Sequence, residues 1–153
     1  YYTAVVTNAY RMAIDAALRG ETQPDPLWLR ELESVSHREY DTGYFFADSR
    51  KEALTCRESG YIREKAYLAT VLSYDPATGE AKCVQRNKVS VGDPMELLTP
   101  GKGGQPLFCT ALFDEEHQPI PSTPHPAMIF YLPVPFPVQP GDILRGGEVI
   151  PKS

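Results

Sequence analysis

Two short polar stretches hold the side chains best able to do chemistry. In Gln85-Arg86-Asn87-Lys88 a planar guanidinium, an amide and an ammonium follow one another, a set suited to phosphate oxygens. In Ser36-His37-Arg38-Glu39-Tyr40 an imidazole, a second guanidinium and a phenol stand together, and Gly43 marks a turn just beyond. Both stretches also have plainer readings. His37 and Arg38 fall where a helix should end, and their positive charge suits its negative terminus; that reading is favoured over a phosphate contact. Asn87 suits a turn in which it bonds nearby backbone. Arg86 and Lys88 suit a solvated strand edge that resists aggregation. Tyr40, with Tyr44, Phe45 and Phe46, has rings to stack on bases, but large aromatics more often supply buried area.

Other spacings exclude chemistry. His37, His117 and His125 form neither H-x-x-x-H nor H-E-x-x-H, so no metal site is expected. Adjacent Ser36 and His37 are not a nucleophile and its base, because such pairs are made by fold geometry around an oxyanion hole. Pro100-Gly101-Lys102-Gly103-Gly104 lacks the order of a phosphate-binding loop. Cys56, Cys83 and Cys109 include no C-x-x-C pair. Their odd number fits a reducing compartment, so the expected location is cytoplasmic. Cys83 and Cys109 sit on strand-like patterns and read as small buried hydrophobes. The chain on its own carries no catalytic set and needs no cofactor.

The elements around these stretches follow from patterning. The chain has 153 residues, 42% hydrophobic and 23% charged, enough for one packed domain with a short extension. Its net charge is −5, split as 9 basic and 11 acidic residues before Tyr67 and 6 basic and 9 acidic from there on. Neither half is the basic surface of an independent nucleic-acid binder. No run is long and apolar enough for a membrane helix. The chain starts without Met inside a helical pattern, so it is expected to be the C-terminal part of a longer protein.

From Thr3 to Leu18 apolar residues recur at helical spacing, with Gly20 placed to stop the helix. So broad an apolar face needs a partner, and the second helix is too short to cover it alone. Asp25-Pro26 starts a second helix as N-cap and first-turn proline. It should run to about Val35, with Leu29, Leu32 and Val35 inward, and with Trp28 and Leu29 packing back on the first helix. Residues 48–60 are polar and read as a linker. Beyond Tyr61 the pattern becomes β: Tyr67 to Tyr74, Glu80 to Val89, Met95 to Leu98, Leu107 to Phe113, Met128 to Val134 and a last strand around Ile143 to Arg145. Of 15 prolines, 12 lie from Pro94 onward, which favours short strands and many turns there. Gly92-Asp93 and Gly141-Asp142 are matching turn signals. The predicted fold is α+β: a helical segment over 1–47, a linker over 48–60, and a small antiparallel β-barrel over 61–153.

Four stretches in order resemble the collagenase-like peptidase family U32. They are YYTAVVTNAYRMAIDAAL, LRELESVSHREYDTGYFF, RNKVSVGDPMEL and FYLPVPFPVQPGDIL. The pattern is most similar to the subgroup associated with hydroxylation of the tRNA wobble uridine. The resemblance implies a β-barrel like the second domain of translation elongation factors. It implies a parent whose catalytic motif, and any iron–sulfur cluster, lie in an N-terminal domain missing from this sequence. The expected role is therefore a non-catalytic lid or substrate guide, partnered by that missing domain and by tRNA, with no membrane. The RNA-contact candidates are then Arg86, Asn87 and Lys88, followed by His37, Arg38 and Tyr40. The rival expectations are a module that positions an extended peptide for a protease by strand addition, and a purely structural or oligomerisation module.

Overall fold

The computed structural model describes residues 1–35 and 65–146. Helix α1 spans Tyr2–Leu18 and α2 spans Pro26–Glu33. Six strands follow: β1 Tyr67–Asp75, β2 Glu80–Gln85, β3 Pro94–Leu98, β4 Gln105–Phe108, β5 Ile129–Pro133 and β6 Ile143–Gly146. The residues predicted as helix starts and stops act as such. Gly20, at φ 87°, lets the N–H groups of Gly20 and Glu21 fold back on the carbonyls of Ala17 and Ala16, closing α1 with the paired bonds of a glycine-ended helix. Asp25 caps α2 by accepting from the Leu27 N–H at 2.9 Å.

Every paired strand is antiparallel, in the order β4-β3-β6-β1-β2-β5. Central β1 changes register between Tyr67 and Ala69 and again between Val71 and Ser73. Such irregularities increase twist and bend the strand, and the sheet curls into a half-barrel. β4 and β5 do not pair with each other, so among the described residues no hydrogen-bond ladder closes a full barrel. The β5 edge is instead covered by Phe113, which exchanges two 2.9 Å backbone bonds with Tyr131.

The concave face holds the main core, with Phe130, Leu132, Cys83, Val71, Leu97 and Leu144 all almost wholly buried. A second cluster, Val5, Val35 and Leu98, joins the helices to the convex side of β3 and β6. This explains β3, whose last four residues are all buried: both of its faces are covered, so alternation is lost.

The two Gly-Asp turns are built alike. Gly92 and Gly141 both sit at φ 93°. The Asp93 carboxylate accepts from Ser90 N–H and that of Asp142 from Gln139 N–H. In each turn the glycine N–H and the aspartate carbonyl clasp one residue of another segment, Cys109 in one case and Val71 in the other.

Several expected boundaries move. The expected strand Leu107 to Phe113 is not continuous: β4 starts earlier, at Gln105, and stops at Phe108. Cys109 then bonds the Gly92-Asp93 turn, and Leu112 drops into the core. β2 stops at Gln85 because the next two N–H groups both turn to the Leu68 carbonyl. α2 stops at Glu33, with Ser34 capping it and Val35 turned into the second cluster. Leu29, expected inward, is 55% exposed, and Glu31 takes the buried position.

Candidate functional site

Arg86, Asn87 and Lys88 form the turn after β2, and all three are exposed. Asn87 is occupied structurally: its side-chain amide donates to the Tyr67 carbonyl at 2.6 Å and its N–H to the Leu68 carbonyl. Asn87 thus pins the turn to β1, and this leaves Arg86 and Lys88 as the side chains that project to solvent. His37, Arg38, Tyr40 and Gly43 lie outside the described residues, as do Tyr44, Phe45, Phe46, the linker 48–60 and Cys56. Gly92, Asp93, Gly141 and Asp142 are the turn residues described above.

The densest group of ionised side chains lies elsewhere, at the junction of helices and sheet, and sequence patterning did not single it out. Glu96 on β3 and Arg145 on β6 are direct cross-strand partners on the convex face. Arg145 is completely buried. Its Nε donates to Glu96 Oε2 at 3.0 Å, Nη2 to Glu31 Oε1 at 2.9 Å, and Nη1 to Ser34 Oγ at 2.9 Å. Glu31 also accepts from the Gly104 N–H at 3.1 Å, and the Lys65 ammonium is hydrogen-bonded to Glu96. A Cβ at Gly104 would collide with Glu96 and Arg145, so this glycine gives the cluster its room.

Burial alone would push the Glu96 carboxyl up, but the Lys65 hydrogen bond and the Arg145 charge outweigh it and hold it below the usual carboxylate range. The Arg145 guanidinium is held more firmly protonated than usual: burial opposes its charge, but Glu31 and Glu96 overcome that. Glu31 Oε2 lies 2.8 Å from Arg145 Nη1 but accepts no hydrogen bond among the described residues, and a buried ion group of this kind adds little net stability over an apolar packing. Here it ties α2 and its cap, through Glu31 and Ser34, to β3 and β6. The available signal was a Glu in an otherwise apolar strand, PMELL, and an Arg in ILRG; pairing the two required the strand order.

Neither thiol among the described residues is activated. Burial pushes the Cys83 thiol up to about 12 and, with help from the Asp93 charge, the Cys109 thiol up to about 11. A thiol so protonated is a poor nucleophile and a poor cluster ligand. Among the described residues no group of three His, Cys, Asp or Glu side chains is placed to hold a metal ion. Among them also, no helix is long and apolar enough to cross a membrane.

Comparison with known proteins gives consistent matches. The family model "Peptidase family U32 C-terminal domain" matches residues 63–145, and "Peptidase family U32" matches residues 1–55. The tRNA hydroxylation protein P of Escherichia coli is 27% identical over 135 residues, which is 88% of this chain and 29% of that protein. The protein of the same name from Haemophilus influenzae is 29% identical over 101 residues, 65% of this chain and 22% of its own length. The chain therefore spans less than a third of these curated relatives. Two crystal structures of the C-terminal domain of a Geobacillus thermoleovorans putative U32 peptidase also match. They are 30% and 29% identical, with TM-scores of 0.50 and 0.51. They cover 52% and 54% of this chain, and 98% and 92% of the domains themselves.

Proposed function

Because this chain belongs to peptidase family U32 and carries that family's C-terminal domain, we propose that it is the non-catalytic accessory part of a longer protein that hydroxylates a uridine of tRNA. The observation that carries this is the alignment with the Escherichia coli tRNA hydroxylation protein P over 88% of the chain. The match is long enough to draw on both the helices and the half-barrel. The buried ion cluster supports a guiding role, since it ties α2 to the sheet. Arg86 and Lys88, exposed at the end of β2, are the tRNA contacts of this proposal, with His37, Arg38 and Tyr40 as further candidates. The likeness to the second domain of elongation factors belongs to the same reading.

The remainder of the parent is the first partner. Tyr10, Ile14 and Leu18 follow one another at helical i,i+4 spacing on α1 and are 61%, 51% and 78% exposed. We place the parent's catalytic domain against this stripe, because α1 falls within the segment matched by the family model other than the C-terminal one. An iron–sulfur cluster, if the parent holds one, is assigned to that domain, since Cys83 and Cys109 do not fit the role. The working compartment is the cytoplasm, where tRNA is modified. The rival is a peptide-positioning role for a protease. One observation favours it: among the described residues β4 is an edge strand, and its last residue, Phe108, is 65% exposed. Pro106 weakens that edge by removing an N–H.

The test is nucleoside mass spectrometry of tRNA from three strains: a deletion of the full-length gene, and that deletion complemented by either the full gene or one truncated before Tyr67. Loss of hydroxyuridine, restored by the full gene alone, is the expected result. Unchanged hydroxyuridine in the deletion would overturn the proposal and turn attention to peptide substrates. Restoration by the truncated gene would show the half-barrel to be dispensable for the reaction.

A further inference from the structure

Charge and aromatic character are ordered along the outer face of β2 and β5. Outward positions of β2 read Glu80, Lys82 and Val84, with exposed Arg86 and Lys88 in the turn beyond. The facing positions of β5 are Pro133, Tyr131 and Ile129. Lys82 Nζ lies 5.6 Å from the centre of the Tyr131 ring. The His117 ring meets the Tyr131 ring with centroids 4.2 Å apart and a tilt of 38°, and lies at 6.4 Å and 22° to the Phe113 ring.

The loop that carries His117 is built to hold it there. His117 stands at φ 55°, a left-handed backbone that few side chains accept but that histidine tolerates better than most. Asp114 Oδ1 accepts from the N–H groups of Glu116 and Gln118, and the Asp114 carbonyl accepts from the His117 N–H. His117 Nε2 lies 3.4 Å from Glu80 Oε2, yet the side chain remains 53% exposed. The imidazole is thus held against Tyr131 and Phe113 and beside Glu80, with about half of its surface exposed.

We propose that the outer face of His117, backed by Tyr131 and Phe113, is a stacking platform for an unpaired base of single-stranded RNA, whose phosphates run along Lys82 and Arg86. Aromatic faces stack on any base, and cations beside them hold the backbone. The ordering of charge sets the direction. Glu80, Glu115 and Glu116 make the loop end acidic and repel phosphates, while Lys82, Arg86 and Lys88 draw them the other way. This site rests on the tRNA reading above and adds to it the class of contact, an unstacked base.

The test uses the 153-residue chain, a single-stranded hexamer of uridine, and an abasic hexamer of the same charge, followed by fluorescence anisotropy at low salt. Wild type should prefer the uridine hexamer by roughly 5- to 150-fold for one stacked base. His117→Asn keeps a residue that accepts the left-handed backbone but removes the stack. It should abolish the preference, with the melting temperature unchanged as a check on folding. Lys82→Gln with Arg86→Gln should weaken both hexamers alike and flatten the salt dependence by roughly 0.7 in logarithmic slope per lost phosphate contact. Equal binding of the two hexamers by wild type, or a preference that survives His117→Asn, overturns the site. Either result leaves the tRNA reading to the hydroxyuridine measurement. Absence of hexamer binding overturns the site as well.

Discussion

Replacing Arg145 by Met tests whether the buried ion cluster is what joins helices to sheet. The side chain is nearly isosteric but removes every donor the guanidinium supplies. Glu96 would keep Lys65 and, at 3.6 Å, Arg30. Among the described residues Glu31 would keep only the Gly104 N–H, with a side chain that is 1% exposed. The cost is therefore that of leaving one buried carboxylate unpaired, about 3–5 kcal/mol, a large share of the 5–15 kcal/mol typical of a domain. At a urea dependence of about 2 kcal/mol per molar, the midpoint should fall by roughly 2 M. Trp28, the single tryptophan, lies on α2 and reports helix docking by fluorescence, while far-UV dichroism reports the whole fold. The two transitions should coincide in wild type and separate in the variant. Arg145→Met with Glu31→Leu removes the orphaned charge and should recover about 2 kcal/mol or more of the loss. A loss below about 1 kcal/mol for Arg145→Met would refute the reasoning, because the cluster would then behave like a solvated surface pair. Strict additivity in the double variant would refute it too.

The acid limb of stability should also depend on this cluster. The folded Glu96 carboxyl is held below its ordinary value of 4.5, so in that window the unfolded chain binds more protons. Its stabilisation is present above about pH 4.5 and is lost as the pH falls further. Melting temperatures measured from pH 7 to pH 3 should fall below that point, and Glu96→Gln should flatten the fall. An identical acid limb in the variant would remove Glu96 from the explanation. The thiols give the opposite sign. Cys83 and Cys109 are raised to about 12 and about 11, so their contribution is present below about pH 9 and lost as the pH rises above it. In a Cys56→Ser background, iodoacetamide at pH 8 should label neither thiol in the native chain and both after unfolding. Rapid native labelling would mean the core opens locally.

Much of this chain is local in origin and was therefore readable. Gly20 and Asp25-Pro26 end and begin helices through bonds spanning a few residues. Gly92-Asp93 and Gly141-Asp142 fold their turns the same way, and all four signals place the elements correctly. Strand limits were less readable where the partner decides them. Arg86 looked like strand until its N–H met Leu68, and Leu107 to Phe113 looked like one strand although its segments bond β3, the Gly92-Asp93 turn, Ile120 and Tyr131 in succession. The inward face of α2 was read correctly at Val35 and wrongly at Leu29. Glu31 is buried and Leu29 exposed, because the buried Arg145 guanidinium needs a carboxylate partner on that face of α2, and apolar spacing does not record such a demand.

The sequence alone determined the α+β class, the turn chemistry and the family membership, since each rests on residue type at short spacing or on motifs in order. Tertiary structure decided which charges are buried, which aromatic rings meet, and that the sheet stays an open half-barrel. Glu96 and Arg145 are 49 residues apart, and His117 and Tyr131 belong to separate elements. Only the strand order and the curl of β1 bring such pairs within reach, and no periodicity along the chain records those.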